Sequence, residues 1–183
     1  ARLREGLAGY LRPERICLFT DDVAANYPGC RCKPADPALD GWWQKLRLFK
    51  PGMFPDGEQM LYIDLDTVIV GDLAPLAEYQ GDFACLRDFY RPSGLGSGVM
   101  LWRSGWGHHI WERWQAMGRP RNAGGDQWWL ELTAPRADRR QDLFPGMFAS
   151  FKADCAGGTP AGARVVCYHG RPRPHERDWS AAA

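Results

Sequence analysis

Tyr62-Ile63-Asp64-Leu65-Asp66-Thr67-Val68-Ile69-Val70 is an apolar, β-branched run with two carboxylates in its middle. As a single extended strand it alternates its side chains between two faces, so Asp64 and Asp66 are expected to point the same way. Two anions that close repel each other, and among Ile, Leu and Val they are costly unless a cation sits between them. A divalent metal with a phosphate-bearing ligand on its far side would meet that need.

The chain around this run has 183 residues, enough for one domain (1–183, with 176–183 as a tail) and a sizeable core. Its 45% hydrophobic and 25% charged residues are those of a soluble globular protein. A net charge of +1 gives no reason to expect nucleic acid or an anionic membrane as partner. The 9 tryptophans suit an aromatic core, or a cleft in which sugar faces stack on indoles. Cys17, Cys85 and Cys167 lie in apolar runs and read as buried thiols, while Cys30-x-Cys32 is half a zinc motif with no second half. No apolar run approaches the ~20 residues that span a bilayer, and a reducing cytoplasm is the expected compartment.

In chain order, Leu3, Leu7 and Leu11 are spaced for an amphipathic helix, followed by a strand over Arg15–Thr20 that ends at Asp21-Asp22. A helix feeding a strand suggests that a preceding strand is missing. Val23–Leu39 reads as an irregular loop. Asp40 is placed to cap a helix over Gly41–Lys50, with Trp42, Leu46 and Phe49 as its buried stripe and Lys45 off it. A short helix over Leu73–Tyr79, a strand over Asp82–Arg87 ending at Asp88, and a strand over Ser97–Arg103 follow. Ser104 can cap a helix to Met117 whose buried face holds Trp106, Ile110, Trp114 and Met117, leaving His108 and His109 at the surface. Gly124-Gly125-Asp126-Gln127 opens a helix to about Leu132, and short strands are expected near Phe148–Lys152 and Arg164–Tyr168. This alternation predicts an α/β fold with a mixed, mostly parallel central sheet flanked by helices. Ligands collect at the carboxyl ends of such strands, where Asp21, Asp64, Asp66, Asp88 and His169 fall.

The Asp-x-Asp pair alone has three readings. The two aspartates can cap a turn or face solvent; they can begin a haloacid-dehalogenase-type phosphatase site with Asp64 as nucleophile; or they can be the Asp-x-Asp of a GT-A-fold transferase. The neighbours favour the third. Lys45-Leu46, Asp64-Leu65-Asp66 with Gly71-Asp72-Leu73, Asp88 after an apolar strand, Ser97-Gly98-Val99-Met100, Gly124-Gly125-Asp126-Gln127 and Gly170-Arg171-Pro172-Arg173-Pro174 occur in that order. Together they resemble the retaining, nucleotide-sugar-dependent family that includes glycogenin and the lipopolysaccharide galactosyltransferases.

That resemblance implies a GT-A-like single domain and a metal site of Asp64, Asp66 and His169 holding Mn²⁺ (or Mg²⁺). It implies donor contacts from Lys45, Asp64, Asp88, Ser97, Gly170 and Arg173, and roles at the sugar for Asp126, Gln127 and Asp88. The donor is then a nucleotide-diphosphate sugar, UDP-linked by preference, and the acceptor a glycan, lipid or protein. Three departures stand out: Gly96 replaces the family's Asn, Cys167 occupies the position of its metal-binding His, and its first strand is expected to be absent. On an extended strand Cys167 and His169 share a face, which favours His169 as the ligand. A non-catalytic sugar-nucleotide- or glycan-binding module of the same fold is the alternative from another class.

Overall fold

In the computed structural model, which describes residues 15–22, 27 and 30–176, the run from Tyr62 to Val70 is two strands in different sheets. The helix expected around Leu3, Leu7 and Leu11 lies outside the described residues. β1 (Cys17–Thr20) pairs in parallel with β2 (Arg31–Pro34). A four-stranded sheet is formed by β3 (Gln59–Ile63), β5 (Phe83–Arg87), β6 (Leu95–Arg103) and β7 (Asp138–Arg139), in the order β3-β6-β5-β7. A three-stranded sheet has β4 (Thr67–Ile69), β9 (Val165–Cys167) and β8 (Phe148–Ser150), in that order.

The sheets are mixed, against the expectation of a mostly parallel one. β6 runs antiparallel to both β3 and β5, β4 runs antiparallel to β9, and β5–β7 and β8–β9 are parallel. The link between β5 and β6 explains part of this. Residues 88–94 form a connection too short for the crossover of a dozen or more residues that parallel pairing needs. β2 falls inside the stretch expected to be irregular, because a polar, Pro-terminated Arg-Cys-Lys-Pro carries no period-two pattern.

Gly41–Phe49 is a 3₁₀ helix. Its buried residues include Trp43, Leu46 and Phe49, spaced by three as 3.0 residues per turn requires. The α-helical stripe Trp42-Leu46-Phe49 was thus one residue off at its start, and Trp42 is 60% exposed. Trp43 instead stacks on Trp114, with ring centroids 5.6 Å apart.

Helix α1 (His108–Ala116) begins four residues after Ser104, which does not cap it. Gly105 adopts φ +97°, and a Cβ on Gly107 would lie 2.3 Å from the Phe49 ring, so residues 104–107 are a tight turn over that ring. The buried face is Ile110, Trp111 and Trp114, and Met117 is exposed instead of buried. His108 and His109 have local partners: His109 Nδ1 lies 3.1 Å from the Trp106 carbonyl, and His108 Nε2 3.6 Å from Asp56. Helix α2 (Gly125–Thr133) follows the Gly-Gly turn as expected, and its Trp129 indole donates to the Ile110 carbonyl at 2.9 Å.

Alternation along β5 and β6 divides the interior. Phe83, Cys85, Met100 and Trp102 face the cluster containing Trp43, Phe49 and Trp114. Ala84, Leu86, Val99 and Leu101 face the other way, onto Phe148, Val165 and Cys167 of the three-stranded sheet. This second cluster joins the two sheets. Arg140 is fully buried at the same seam, with its guanidinium 5.4 Å from the centre of the Phe148 ring. Burial pushes its pKa down to about 9. Among the described residues no helix is long and apolar enough to cross a membrane.

Candidate active site

The crossing between the sheets builds the site. The chain leaves β3 at Ile63 and enters β4 at Thr67, and Asp64-Leu65-Asp66 is the turn between them. The Asp64 N–H donates to the Gly98 carbonyl at 2.8 Å, anchoring one end to the four-stranded sheet. Tyr168 N–H donates to the Asp66 carbonyl at 3.0 Å, anchoring the other end beside β9. Leu65 at the tip is 71% exposed. The two carboxylates therefore meet by turn geometry, and strand alternation has no part in it.

A cavity of about 760 Å³ opens along this turn, toward the upper end of the ~300–1,000 Å³ usual for small-molecule sites. Every metal, donor and sugar residue implied by the resemblance borders it: Lys45, Asp64, Asp66, Asp88, Ser97, Asp126, Gln127, His169, Gly170 and Arg173. Asp21 is not among the bordering residues. Tyr90, Trp128 and Glu131, which no sequence pattern marks, border the cavity as well, and so does Trp42, expected in the core.

Around Asp64 the contacts are tight. Its Oδ1 accepts from the Tyr62 hydroxyl at 2.6 Å and its Oδ2 from Lys45 Nζ at 2.7 Å. Lys45 also donates to Ser97 Oγ at 3.2 Å and lies 3.9 Å from Asp126 Oδ2. Although off the buried stripe of its helix, its side chain is only 14% exposed. Burial alone would lower its pKa, but the charges of Asp126 and Asp64 outweigh that and leave it raised. Asp126, 3% exposed, is pushed up by burial, with Lys45 and a hydrogen bond from Ser97 offsetting part of the shift. Its Oδ2 makes no hydrogen bond among the described residues. Tyr62 is held in its protonated form by burial and by the Asp64 charge.

Asp66 is held by the C-terminal segment. Its Oδ2 accepts from the Gly170 N–H at 3.2 Å and from Arg173 Nη1 at 3.1 Å. His169 has φ +52°, so the extended-strand reasoning that aligned it with Cys167 does not apply; β9 ends at Cys167. Both nevertheless border the cavity. The His169 ring lies edge-on to Phe89, with centroids 4.8 Å apart. Crowding by protein lowers its pKa, partly opposed by Asp66, although its outer surface stays open to solvent. Burial pushes the Cys167 thiol up to about 12, which leaves it protonated at neutral pH.

Asp88 has a structural role in addition to bordering the cavity. It caps the β5–β6 turn, accepting from the N–H groups of Tyr90 at 2.9 Å and Arg91 at 3.1 Å, and it pairs with Arg91 Nε at 3.0 Å. Burial would raise its pKa, but these bonds outweigh it and hold the carboxyl below its ordinary value. Arg91 also donates to Glu131 at 2.9 Å, a partner 40 residues away that no local pattern reveals. An irregularity in the β5–β6 register passes from Cys85↔Met100 to Leu86↔Gly96. It leaves Ser97 and Gly98 beside the cavity, and a Cβ on Gly96 would lie 3.1 Å from Leu86 Cβ.

Two carboxylates and an imidazole on one cavity are the right donor set for Mn²⁺. As the side chains lie, Lys45 and Arg173 take the carboxylate oxygens, and no three His, Cys, Asp or Glu among the described residues stand close enough together to hold an ion. The set fits a divalent ion in kind, and binding one requires those two cations to move aside.

The fold is that of a glycosyltransferase. The chain superposes on the crystal structure of the glycosyltransferase GlyE of Streptococcus pneumoniae TIGR4 with a TM-score of 0.64 at 15% identity, over 97% of this chain and 52% of that one. The apo form of GlyE gives a TM-score of 0.60 at 17% identity, over 99% and 58%. The chain thus spans little more than half the length of these structures. No protein-family model matches the sequence, and none of the curated proteins does.

Proposed function

We propose that this chain transfers a hexose from a nucleotide-diphosphate sugar, a UDP-sugar foremost, to an acceptor hydroxyl with retention at the anomeric carbon. The observation that carries the reading is convergence: groups from Lys45 to Arg173, separated by up to 128 positions, border one cavity on a glycosyltransferase fold. The fold likeness also favours this reading over the phosphatase alternative. Asp64, Asp66 and His169 would hold Mn²⁺, ahead of Mg²⁺, whose charge would support departure of the nucleoside diphosphate.

The chain's own residues supply the rest. Arg173, released from Asp66, and Lys45, released from Asp64, are cations within reach of phosphate oxygens. Asp126 brings a buried acceptor whose Oδ2 has no hydrogen bond among the described residues, and a sugar hydroxyl can satisfy it. Gln127, beside it, lines the face at which attack occurs, and Asp88 presents a carboxylate already fixed by its turn.

Incubation with a panel of UDP-sugars and Mn²⁺ should give transfer or slow donor hydrolysis, and Asp66→Ala should weaken Mn²⁺ binding and turnover by about 10²-fold. The reading fails if no donor binds and Asp66→Ala leaves Mn²⁺ affinity unchanged. Donor binding without turnover would instead mark a non-catalytic module. Asp64-dependent phosphate release with no sugar donor would mark a phosphatase.

A further inference from the structure

Resting on the transferase reading, we propose that Trp42 is an acceptor platform and that the acceptor is a carbohydrate whose ring stacks on its indole. Trp42 borders the same cavity as Asp64 and Asp66 yet turns away from the core, because the 3₁₀ register sends Trp43 inward. At 60% exposure it is, with Tyr90, one of two large exposed aromatic side chains that border the cavity. Its seat is shaped for it. Gly125 adopts φ +61°, and a Cβ there would lie 2.7 Å from Trp42 Cε3, so only a glycine lets the indole lean over the start of α2. A Cβ on Gly124 would lie 2.8 Å from Trp128 Cβ. The Gly-Gly pair is therefore flanked by two indoles and leads directly into Asp126 and Gln127.

An exposed aromatic face beside a carboxylate and a primary amide matches the chemistry of a pyranose. The apolar C–H face of the sugar lies on the ring, and its hydroxyls reach planar polar groups. A lipid acceptor would need a continuous apolar surface, but the other exposed aromatic here, Tyr90, sits among Asp88, Arg91 and His169.

The protein, with UDP and Mn²⁺ present, is applied to an array of immobilised hexose- and N-acetylhexosamine-terminated oligosaccharides, alongside Trp42→Ala and Trp42→Phe. The wild type should bind a subset, Trp42→Ala the same subset about tenfold more weakly, and Trp42→Phe within about threefold of wild type because a ring face remains. The melting midpoint of Trp42→Ala should stay within about 2 °C of wild type, as for an exposed side chain. Absence of glycan binding by the wild type, equal binding by Trp42→Ala, or a midpoint lowered by more than about 5 °C would each overturn the assignment, the last because Trp42 would then be a packed residue. Calorimetry with UDP-glucose and UDP-galactose reads the donor side separately. Glycan binding that depends on Trp42 without donor binding would sink the transferase reading alone.

Discussion

Asp64 and Asp126 lie on the same cavity and share Lys45, but they are held in opposite ways. Asp64 keeps 26% of its side chain exposed, and both of its oxygens are taken by short hydrogen bonds. Asp126 is nearly sealed from solvent, its pKa is raised by that burial, and one oxygen has no hydrogen bond among the described residues. The first is a carboxylate satisfied by protein until something displaces its cation. The second is a carboxylate left short of a donor, at a cost in stability that a bound hydroxyl would relieve. One lysine serves both, so the state of either acid is coupled to the other.

The largest effect on this contrast should come from Lys45→Ala. It strands one buried and one partly buried carboxylate, and urea unfolding should show a loss of about 3 kcal/mol, the low end for a broken buried pair because Asp64 remains partly solvated. Adding Asp126→Asn should recover part of that loss, since the more deeply buried charge is removed with its partner. Full additivity of the two changes would show that Lys45 and Asp126 do not interact. A smaller effect, about 1–2 kcal/mol, is expected from Tyr62→Phe, which leaves Asp64 Oδ1 without its hydroxyl donor.

The smallest concerns pH. Asp126 has a folded pKa above its unfolded value, so the folded state holds its proton more tightly. The stability this gives is complete below the unfolded pKa of about 3.9 and is lost as pH rises through the folded value. The melting midpoint of wild type minus that of Asp126→Asn should therefore fall as pH rises from about 4 toward neutrality. A flat difference would mean that Lys45 already cancels the cost of burial.

Much of the candidate site's lining could be read from the sequence because its residues belong to short local patterns: Asp-x-Asp, Gly-Gly-Asp-Gln and Gly-Arg-Pro-Arg-Pro each bring neighbouring residues to the cavity together. The fold was harder to read. An apolar run from Tyr62 to Val70 looks the same whether it is one strand or two strands divided by a turn. Trp42-Trp43 offers an indole to either side, and only the 3₁₀ period decides which one is buried. Glu131 and Arg91 find each other across 40 positions, a contact made by the β5–β6 turn docking on α2. Tyr62 was within reach, since it lies two residues before Asp64 and on a strand would share its face.

The turn at Asp64-Leu65-Asp66 has one more consequence. Asp64 is pinned to the four-stranded sheet through Gly98, and Asp66 to the end of the three-stranded one through Tyr168. The gap between the carboxylates is therefore a gauge of how the two sheets sit against each other. What sets it is the packing of Leu86, Val99 and Leu101 against Phe148 and Val165, so the width of the cleft is set from inside the core.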